Sequence, residues 1–182
     1  MKKRTPANML FISLGLVLLS GCGGGTNGEE QQPPVQPTTA VVSLSSVVNS
    51  AIPAGTVIAG YDVTISLPDG VTVKSTTPPA IDDGVVIGTG SGAEAGTTIN
   101  ASYTAASGST PAKVHIVLIS PNANGIAAGD FCTVTCAITL NYFPSESDFQ
   151  QPAFEVSGFD TNTLSTVNLT AQVNLKATVG IH

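Results

Sequence analysis

From residue 40 onward, apolar and polar residues alternate along much of the chain, which is the pattern of half-buried β-strands. The clearest case is residues 61–67, in which Tyr61, Val63, Ile65 and Leu67 alternate with polar residues. The turn Pro68-Asp69-Gly70 follows, where proline presets φ and glycine accepts a positive φ. By such patterns, strands are predicted over residues 41–48, 61–67, 71–74, 85–87, 99–105, 113–120, 131–140, 155–159 and 167–179. One helical turn is predicted over residues 145–149.

About eight or nine short strands with turns between them predict an all-β chain. The expected architecture is a single antiparallel β-sandwich. The 143 residues from Ala40 to His182 have the size of one domain with one core, and no second linker or internal repeat follows. The domain prediction is therefore a β-sandwich over residues 40–182.

The first 22 residues carry the pattern of a bacterial lipoprotein signal peptide. Lys2, Lys3 and Arg4 form a basic start, and residues 9–19 form an apolar core of about 11 residues. A membrane-spanning helix needs about 20 apolar residues, so this segment is short for a permanent anchor. The run ends in Leu19-Ser20-Gly21-Cys22, a lipobox. Residues 1–21 are thus predicted to be removed before Cys22.

Cys22 is the predicted lipidation site. Its thiolate can take a diacylglycerol as a thioether, and the new amino end can be acylated, for example with palmitate. Two or more chains give stable anchoring, whereas one chain binds a membrane only marginally. Gly23 stands where an Asp favours inner-membrane retention in bacteria that sort lipoproteins, so an outer-membrane address in the cell envelope is expected. Residues 22–39, rich in Gly, Pro and Gln, are predicted to form a flexible linker.

The charge balance of the mature chain limits its partners. Cleavage would remove three of the six basic residues and leave Lys74, Lys113 and Lys176 against 12 carboxylates, a formal net charge of −9. Such an excess of negative charge argues against nucleic acid and against anionic membrane surfaces.

Cys132 and Cys136 raise the question of a disulfide or a metal site. Four residues apart on one strand, they share a face but lie about 13 Å apart at roughly 3.3 Å per residue. A disulfide needs Cα atoms about 4.4–6.8 Å apart. On a regular strand the two thiols are therefore expected to be buried as small apolar groups, beside Val134, Ile138 and Leu140.

No group of residues predicts catalysis, a metal or a cofactor. His115 lies in an apolar run with no Cys, Asp or Glu at ligand spacing, and no Gly-x-Ser-x-Gly elbow occurs. The pairs Asp82-Asp83 and Asp62-Asp69 could contribute to a calcium site or a glycosidase carboxylate pair. Without a calcium-loop motif, they are expected to be solvated acids in turns. The protein is therefore predicted not to be an enzyme.

Tyr142 and Phe143 are the candidate binding residues. Carbohydrate-binding modules often present a row of aromatic rings, but this chain has no Trp, and most of its Tyr and Phe residues are expected in the core. Tyr142-Phe143 precedes a proline and is the best exposed pair. A polysaccharide is accordingly an alternative ligand.

Four segments together resemble the cohesin-type domain of bacterial extracellular proteins: residues 52–56, 61–70, 126–135 and 154–160. Gly129-Asp130-Phe131 is similar to the turn that leads into an alternating cohesin strand, and Gly158-Phe159-Asp160 to the place where a later strand closes. The resemblance implies a jelly-roll sandwich and a dockerin-like or other envelope protein as partner. The predicted function is non-catalytic protein–protein interaction or surface assembly, with carbohydrate binding as the alternative.

Overall fold

The computed structural model describes residues 35–182, and β-strands make up most of their regular structure. The predicted signal peptide, Cys22 and the linker as far as residue 34 lie outside the described residues. Within residues 35–182, no helix has the length and apolar character needed to cross a membrane. The strands are β1 (Thr39–Val48), β2 (Thr56–Ser66), β3 (Val71–Thr72), β4 (Val86–Gly88), β5 (Thr98–Thr104), β6 (Lys113–Ile119), β7 (Gly129–Ile138), β8 (Ala153–Asp160), β9 (Ser165–Asn168) and β10 (Val173–Ile181). Two 3₁₀ turns lie at Gly90–Ala93 and Glu146–Asp148.

The strands form two antiparallel sheets that enclose one core. The first sheet has the order β10-β1-β7, and both β3 and β4 pair with the far side of β7. The second sheet has the order β5-β6-β2-β8-β9. The buried side chains of both sheets form a single cluster. The predicted antiparallel β-sandwich is confirmed, with ten strands in place of eight or nine.

The additional strand comes from the segment predicted as one strand over residues 167–179. A turn divides it into β9 and β10, because the N–H of Gln172 donates to the carbonyl of Leu169 at 2.9 Å. Ala171, expected on the apolar face, is exposed in that turn. The continuous apolar face predicted there was therefore wrong, although Leu169, Val173 and Leu175 are buried as expected.

The end of β7 also differs from the prediction. The strand stops at Ile138, and the N–H of Thr139 donates to the carbonyl of Gly70 at 2.8 Å. The chain then turns at Asn141, whose φ is +69°. Leu140, expected on the apolar face with Cys132 and Cys136, consequently lies outside the core and is 71% exposed.

A stacked pair of aromatic rings joins the two sheets. Tyr61 on β2 and Phe131 on β7 lie with ring centroids 4.6 Å apart, and the Tyr61 hydroxyl shares a hydrogen bond of 2.8 Å with Ser46 Oγ on β1. Both strands carry a register shift near these residues, at Ala59 in β2 and at Phe131 in β7. Each bulge changes the alternation of inward and outward side chains along its strand.

Different parts of the chain occupy the two ends of the sandwich. At one end, the N–H groups of Thr38 and Thr39 donate to the carbonyl of His182 at 2.8 and 3.0 Å. We call this the tether end, because the described chain begins there; it also holds residues 139–144, which follow β7. The opposite, distal end lies where Gly129 pairs with Ser46, and it holds the loops 49–55, 120–128 and 161–164.

Candidate functional site

The distal groove is an apolar cavity of about 470 Å³ at the distal end. It lies on the side of the second sheet that faces away from the core, since Ile58 and Gly158, which alternate with its lining residues, are buried. Carbonyl, amide and hydroxyl groups are few in its lining, which exposes mostly carbon. The main lining residues are Val57, Ala59, Pro121, Phe159, Thr161 and Leu164.

Backbone hydrogen bonds hold the loops around the distal groove to the start of β2. Thr161 N–H donates to the carbonyl of Gly55 at 2.9 Å, and Ser120 N–H donates to that of Ala59 at 2.9 Å. Ile126 N–H reaches the carbonyl of Ile58 at 2.7 Å. These hydrogen bonds fix the loops that form the walls of the groove to the second sheet.

Leu164 projects from the hairpin between β8 and β9 and lines the distal groove. Its side chain is 74% exposed, and its φ is +56°, a region that bulky residues seldom adopt. The hairpin is closed by Leu164 N–H, which donates to the carbonyl of Asp160 at 2.8 Å. An exposed leucine at a positive φ contributes little to the free energy of folding. Its presence at this position therefore suggests a role other than stability.

Carboxylates are the charged groups near the distal groove. Asp160 lies at its hairpin, where the N–H of Asn162 donates to Oδ1 at 2.8 Å and holds the pKa of this carboxyl below its usual range. Glu94 lies in the loop that Asn122 reaches through a 3.3 Å hydrogen bond to the carbonyl of Ala95. Lys74 and Lys113 lie towards the tether end, on or beside the strands that pair there.

A second cavity, of about 400 Å³, lies at the tether end and contains both predicted binding residues. Tyr142 and Phe143 are 45% and 56% exposed, so their predicted exposure is confirmed. Asp69 and Asp148 also line the cavity, together with Pro68 and Pro144. Aromatic rings and acceptor oxygens in one cavity are groups that can contact a sugar or another amphipathic ligand.

The loop that carries Tyr142 is held on three sides. The tyrosine ring covers Gly70, where a Cβ would come within 2.1 Å of the ring. Gln36 Nε2 donates to the carbonyl of Tyr142 at 2.8 Å, and Asn141 N–H donates to Gln36 Oε1 at 3.0 Å. The next turn is capped by Asp148, whose pKa is lowered by hydrogen bonds from the backbone and then the hydroxyl of Ser145. The exposed rings therefore lie on a structured loop.

Cys132 and Cys136 are both buried and free, on the same face of β7, as predicted. Burial raises the pKa of each thiol to about 12, so both are neutral at physiological pH. The strand is regular between them, because the bulge lies before Cys132. These cysteines are core residues of the sheet.

His115 lies on the exposed face of the second sheet, and its Nε2 is 2.8 Å from Asp62 Oδ1. Ser102 is the cross-strand neighbour of His115 on the other side, which brings serine, histidine and aspartate into one row. The described residues contain no hydrogen bond between Ser102 and His115. Without that hydrogen bond the row lacks the nucleophile–base contact on which triad chemistry depends, and none of its three residues lines the distal groove or the tether-end cavity.

The acidic residues considered for calcium do not gather at one site. Asp62 bonds His115, whereas Asp69 lines the tether-end cavity. Asp82 accepts from the backbone and hydroxyl of Thr76 at 2.7 and 2.8 Å, which lowers its pKa, and Asp83 beside it is exposed. Across residues 35–182, no three His, Cys, Asp or Glu residues gather in a way that could hold a metal ion.

The fold and the two cavities define an all-β sandwich with an apolar groove at one end and an aromatic, acidic cavity at the other. No family model, curated protein or solved structure matches the chain. The resemblance to the cohesin-type domain stays a prediction.

Sequence reasoning had missed the distal groove. Its residues come from four separate segments, and neither Leu164 nor Phe159 stands in a recognisable motif. The signal that could have indicated the hairpin is Asp160-Thr161-Asn162-Thr163, a run of turn-forming residues followed directly by an apolar one.

Proposed function

We propose that this protein is a lipid-anchored, extracytoplasmic binding module that captures a partner protein in its distal groove and catalyses no reaction. The exposure and backbone conformation of Leu164 are the observation that carries the proposal. This leucine combines an exposed apolar side chain with a positive φ, on the rim of an apolar cavity. Observed strain at a surface position is a reason to suspect function.

Leucine is an unfavourable residue at position 164 of the isolated domain. Gly or Asn would adopt its φ at lower cost, and either would remove an apolar side chain from water. A partner that buried this side chain would recover about 1.5–3 kcal/mol from the hydrophobic effect. The groove beside it offers Phe159, Val57 and Pro121 as further apolar contacts for the same partner.

The partner's chemistry follows from the groove and its surroundings. An apolar segment fits the lining, and basic residues beside that segment would meet Glu94 and Asp160. Residues 35–182 carry three lysines against ten carboxylates, which favours a basic partner at long range as well. If the cohesin resemblance holds, the partner is a dockerin-like protein; otherwise it is another envelope or secreted protein.

The position of the groove is compatible with a lipid anchor at Cys22. The described chain begins at the tether end, so an anchor on the N-terminal side leaves the distal end free for a partner. Outer-membrane placement remains part of the same proposal and depends on the lipobox and on Gly23.

A capture experiment tests this function. Residues 23–182, which include both sheets, are immobilised and exposed to envelope and secreted fractions of the producing bacterium, and each captured protein is purified. Its Kd is then measured for the unmodified chain, for Leu164→Asp and for the control Ile87→Asp, an apolar residue 49% exposed on the other sheet. We expect a roughly 10- to 100-fold weaker Kd for Leu164→Asp, as the loss of one buried leucine implies.

The outcome that contradicts the proposal is equal affinity for all three chains. A contaminant that binds through charge alone would show the same change in Kd for Leu164→Asp as for Ile87→Asp. Higher salt is expected to slow association without removing the difference between the two variants, because rim charges act mainly on the association rate.

Carbohydrate binding is the second candidate function, favoured by the shared cavity of Tyr142, Phe143, Asp69 and Asp148. Free oligosaccharides are therefore included as competitors. Capture that is released by sugar and lost in Tyr142→Ala, but kept in Leu164→Asp, would replace the protein-binding function with this one.

A further inference from the structure

Four exposed apolar side chains cluster at the tether end. We call Val35, Leu140, Tyr142 and Phe143 the tether-end patch; they are 83%, 71%, 45% and 56% exposed. Val35 immediately precedes Gln36, which bonds both Asn141 and Tyr142, so the chain carries it into the domain at the loop that holds the other three. Exposed apolar residues are ordinary one at a time, whereas a cluster indicates a contact surface.

The loop under the patch is built to hold these side chains outward. Thr139 N–H is bonded to Gly70, Tyr142 N–H is bonded to the carbonyl of Thr139 at 3.1 Å, and Gln36 closes the other side. The patch is consequently present before any contact forms, which lowers the entropy cost of making one.

The position of the patch along the chain indicates which surface it contacts. Val35 is 13 residues after Cys22, and a fully extended chain of that length spans at most about 45 Å. If Cys22 carries lipid, the tether end is the part of the domain that the covalent anchor keeps nearest to the bilayer. Tyr and other amphipathic rings are favoured at the headgroup level of membranes.

The charges around the patch select the kind of surface. Asp69, Glu146 and Asp148 lie in or beside the tether-end cavity, and Lys113 lies on the strand end that pairs with Ser66. Lys74, also towards this end, is paired with Asp82 at 3.6 Å, so the balance is four carboxylates against two lysines. This excess of negative charge disfavours an anionic surface and is compatible with zwitterionic headgroups.

We infer that the tether-end patch rests on the zwitterionic lipid surface to which Cys22 is attached, so that the domain stands on the membrane with its distal groove facing away. This inference rests on the lipid anchor in the proposed function and is independent of what the distal groove binds. The contact orients the domain, which a linker alone would not do.

A single tryptophan tests the contact, because the natural chain has none. Phe143→Trp is prepared in residues 22–182, and Cys22 is coupled to a maleimide-bearing lipid in phosphatidylcholine vesicles. Cys132 and Cys136 are buried, so Cys22 is the thiol available for coupling. We expect the emission to move to shorter wavelength and quenching by aqueous iodide to fall several-fold relative to the uncoupled chain. Leu164→Trp, at the distal end, is the matched control and should show neither change.

Two further samples test whether the patch itself makes the contact and whether the contact depends on the charge of the lipid. Adding Leu140→Glu to Phe143→Trp should abolish the shift, and vesicles rich in phosphatidylglycerol should reduce it. Coupled and uncoupled Phe143→Trp chains with the same emission would overturn the inference, as would a shift of equal size for Leu164→Trp. A shift produced by oligosaccharide without lipid, and not by vesicles, would assign the cavity to sugar instead.

Chemical coupling separates this test from the proposed function. It supplies the anchor whether or not the cell lipidates Cys22, and it does not involve a protein partner. A negative result here therefore leaves the Leu164 capture assay intact, and a failed capture assay leaves the fluorescence result intact. Equal thermal unfolding of the variants and the unmodified chain checks that the loop is still folded.

Discussion

The side-chain amide of Gln36 holds the backbone of Tyr142 from 106 positions earlier in the chain. Its Nε2 donates to the carbonyl of Tyr142, while its Oε1 accepts from the N–H of Asn141 at 3.0 Å. One residue thus joins the segment that enters the domain to the loop with the exposed aromatic rings.

Gln36→Ala should loosen this loop without unfolding the domain. The substitution removes both hydrogen bonds to this loop, each of which contributes about 0.5–1.5 kcal/mol, together with the bond from Gln36 Nε2 to the carbonyl of Pro37 at 3.0 Å. Amide hydrogen exchange by NMR should show Asn141 exchanging up to roughly tenfold faster, the factor that corresponds to about 1.4 kcal/mol. The N–H of Thr139, bonded to Gly70, is the internal control and should keep its rate. Unchanged exchange at Asn141 would show that Gln36 does not hold the loop.

Leu164→Asn should stabilise the isolated domain. The variant relieves a positive φ in a bulky residue, and we expect the free energy of unfolding in urea to rise by about 1 kcal/mol. Leu164→Ala is the matched control: it shortens the side chain but lacks the short polar group that lets Asn adopt φ +56°, and it should give little or no gain. Equal stability for the Asn and Ala variants would mean that the backbone at this position is not strained. A gain in stability together with loss of partner capture is the combination that the proposed function requires.

The two buried thiols should destabilise the fold at high pH. Burial raises the pKa of Cys132 and Cys136 from an ordinary value of 9.0 to about 12, and the unfolded chain ionises them first. Their contribution to stability is therefore complete below pH 9 and is lost as the pH rises from 9 towards 12. Each thiol should lower the free energy of unfolding by about 1.4 kcal/mol per pH unit in that range.

Urea unfolding at several pH values between 8 and 11 measures this effect. A Cys132→Ala, Cys136→Ala double variant should be less stable at pH 8, because it leaves small cavities, and its stability should fall less steeply above pH 9. Identical slopes for the two chains would show that other groups, such as the buried Tyr61, whose pKa is also raised by burial, dominate the alkaline loss.

Tyr61→Phe should cost stability while keeping the stacked ring. The variant retains the contact with Phe131 but removes the hydroxyl that bonds Ser46 Oγ, a buried group. Ser46 Oγ then keeps only the longer hydrogen bond from the N–H of Gly129, at 3.4 Å, and the loss of its shorter buried hydrogen bond costs about 1–3 kcal/mol. Tyr142→Phe, with an exposed ring, is the control and should change the free energy of unfolding by less than about 0.5 kcal/mol. If Ser46→Ala restores stability to Tyr61→Phe, the lost hydrogen bond is the cause.

Strand periodicity predicted much of the burial pattern. The apolar face predicted within residues 61–67 is buried, and so is the one predicted from Cys132 to Ile138, as alternation along one strand requires. The same reasoning was wrong at Leu140 and Ala171, because the alternation in the sequence continues past the points where the strands end. The strand ends depend on hydrogen bonds from Thr139 to Gly70 and from Gln172 to Leu169, which are made in the folded chain.

The candidate sites, too, could be predicted from the sequence only in part. Tyr142 and Phe143 could be selected from the sequence, because an aromatic pair between turn residues at the end of a strand is expected at the surface. Their carboxylate neighbour Asp69 could not, since it is more than 70 positions away in the chain. The distal groove could not be predicted from the sequence, because it depends on the register of β2 against β8, which the bulge at Ala59 shifts.

The sequence by itself determined that the chain folds as an antiparallel β-sandwich and which face is buried along the regular parts of its strands. These properties follow from side chains that alternate every two residues, a local pattern. Only the tertiary structure decided that His115 meets Asp62, that Gln36 holds Tyr142, and that Leu164 borders a groove. Those relationships depend on strand register and bulges, which are set by packing and hydrogen bonds between residues far apart in the chain.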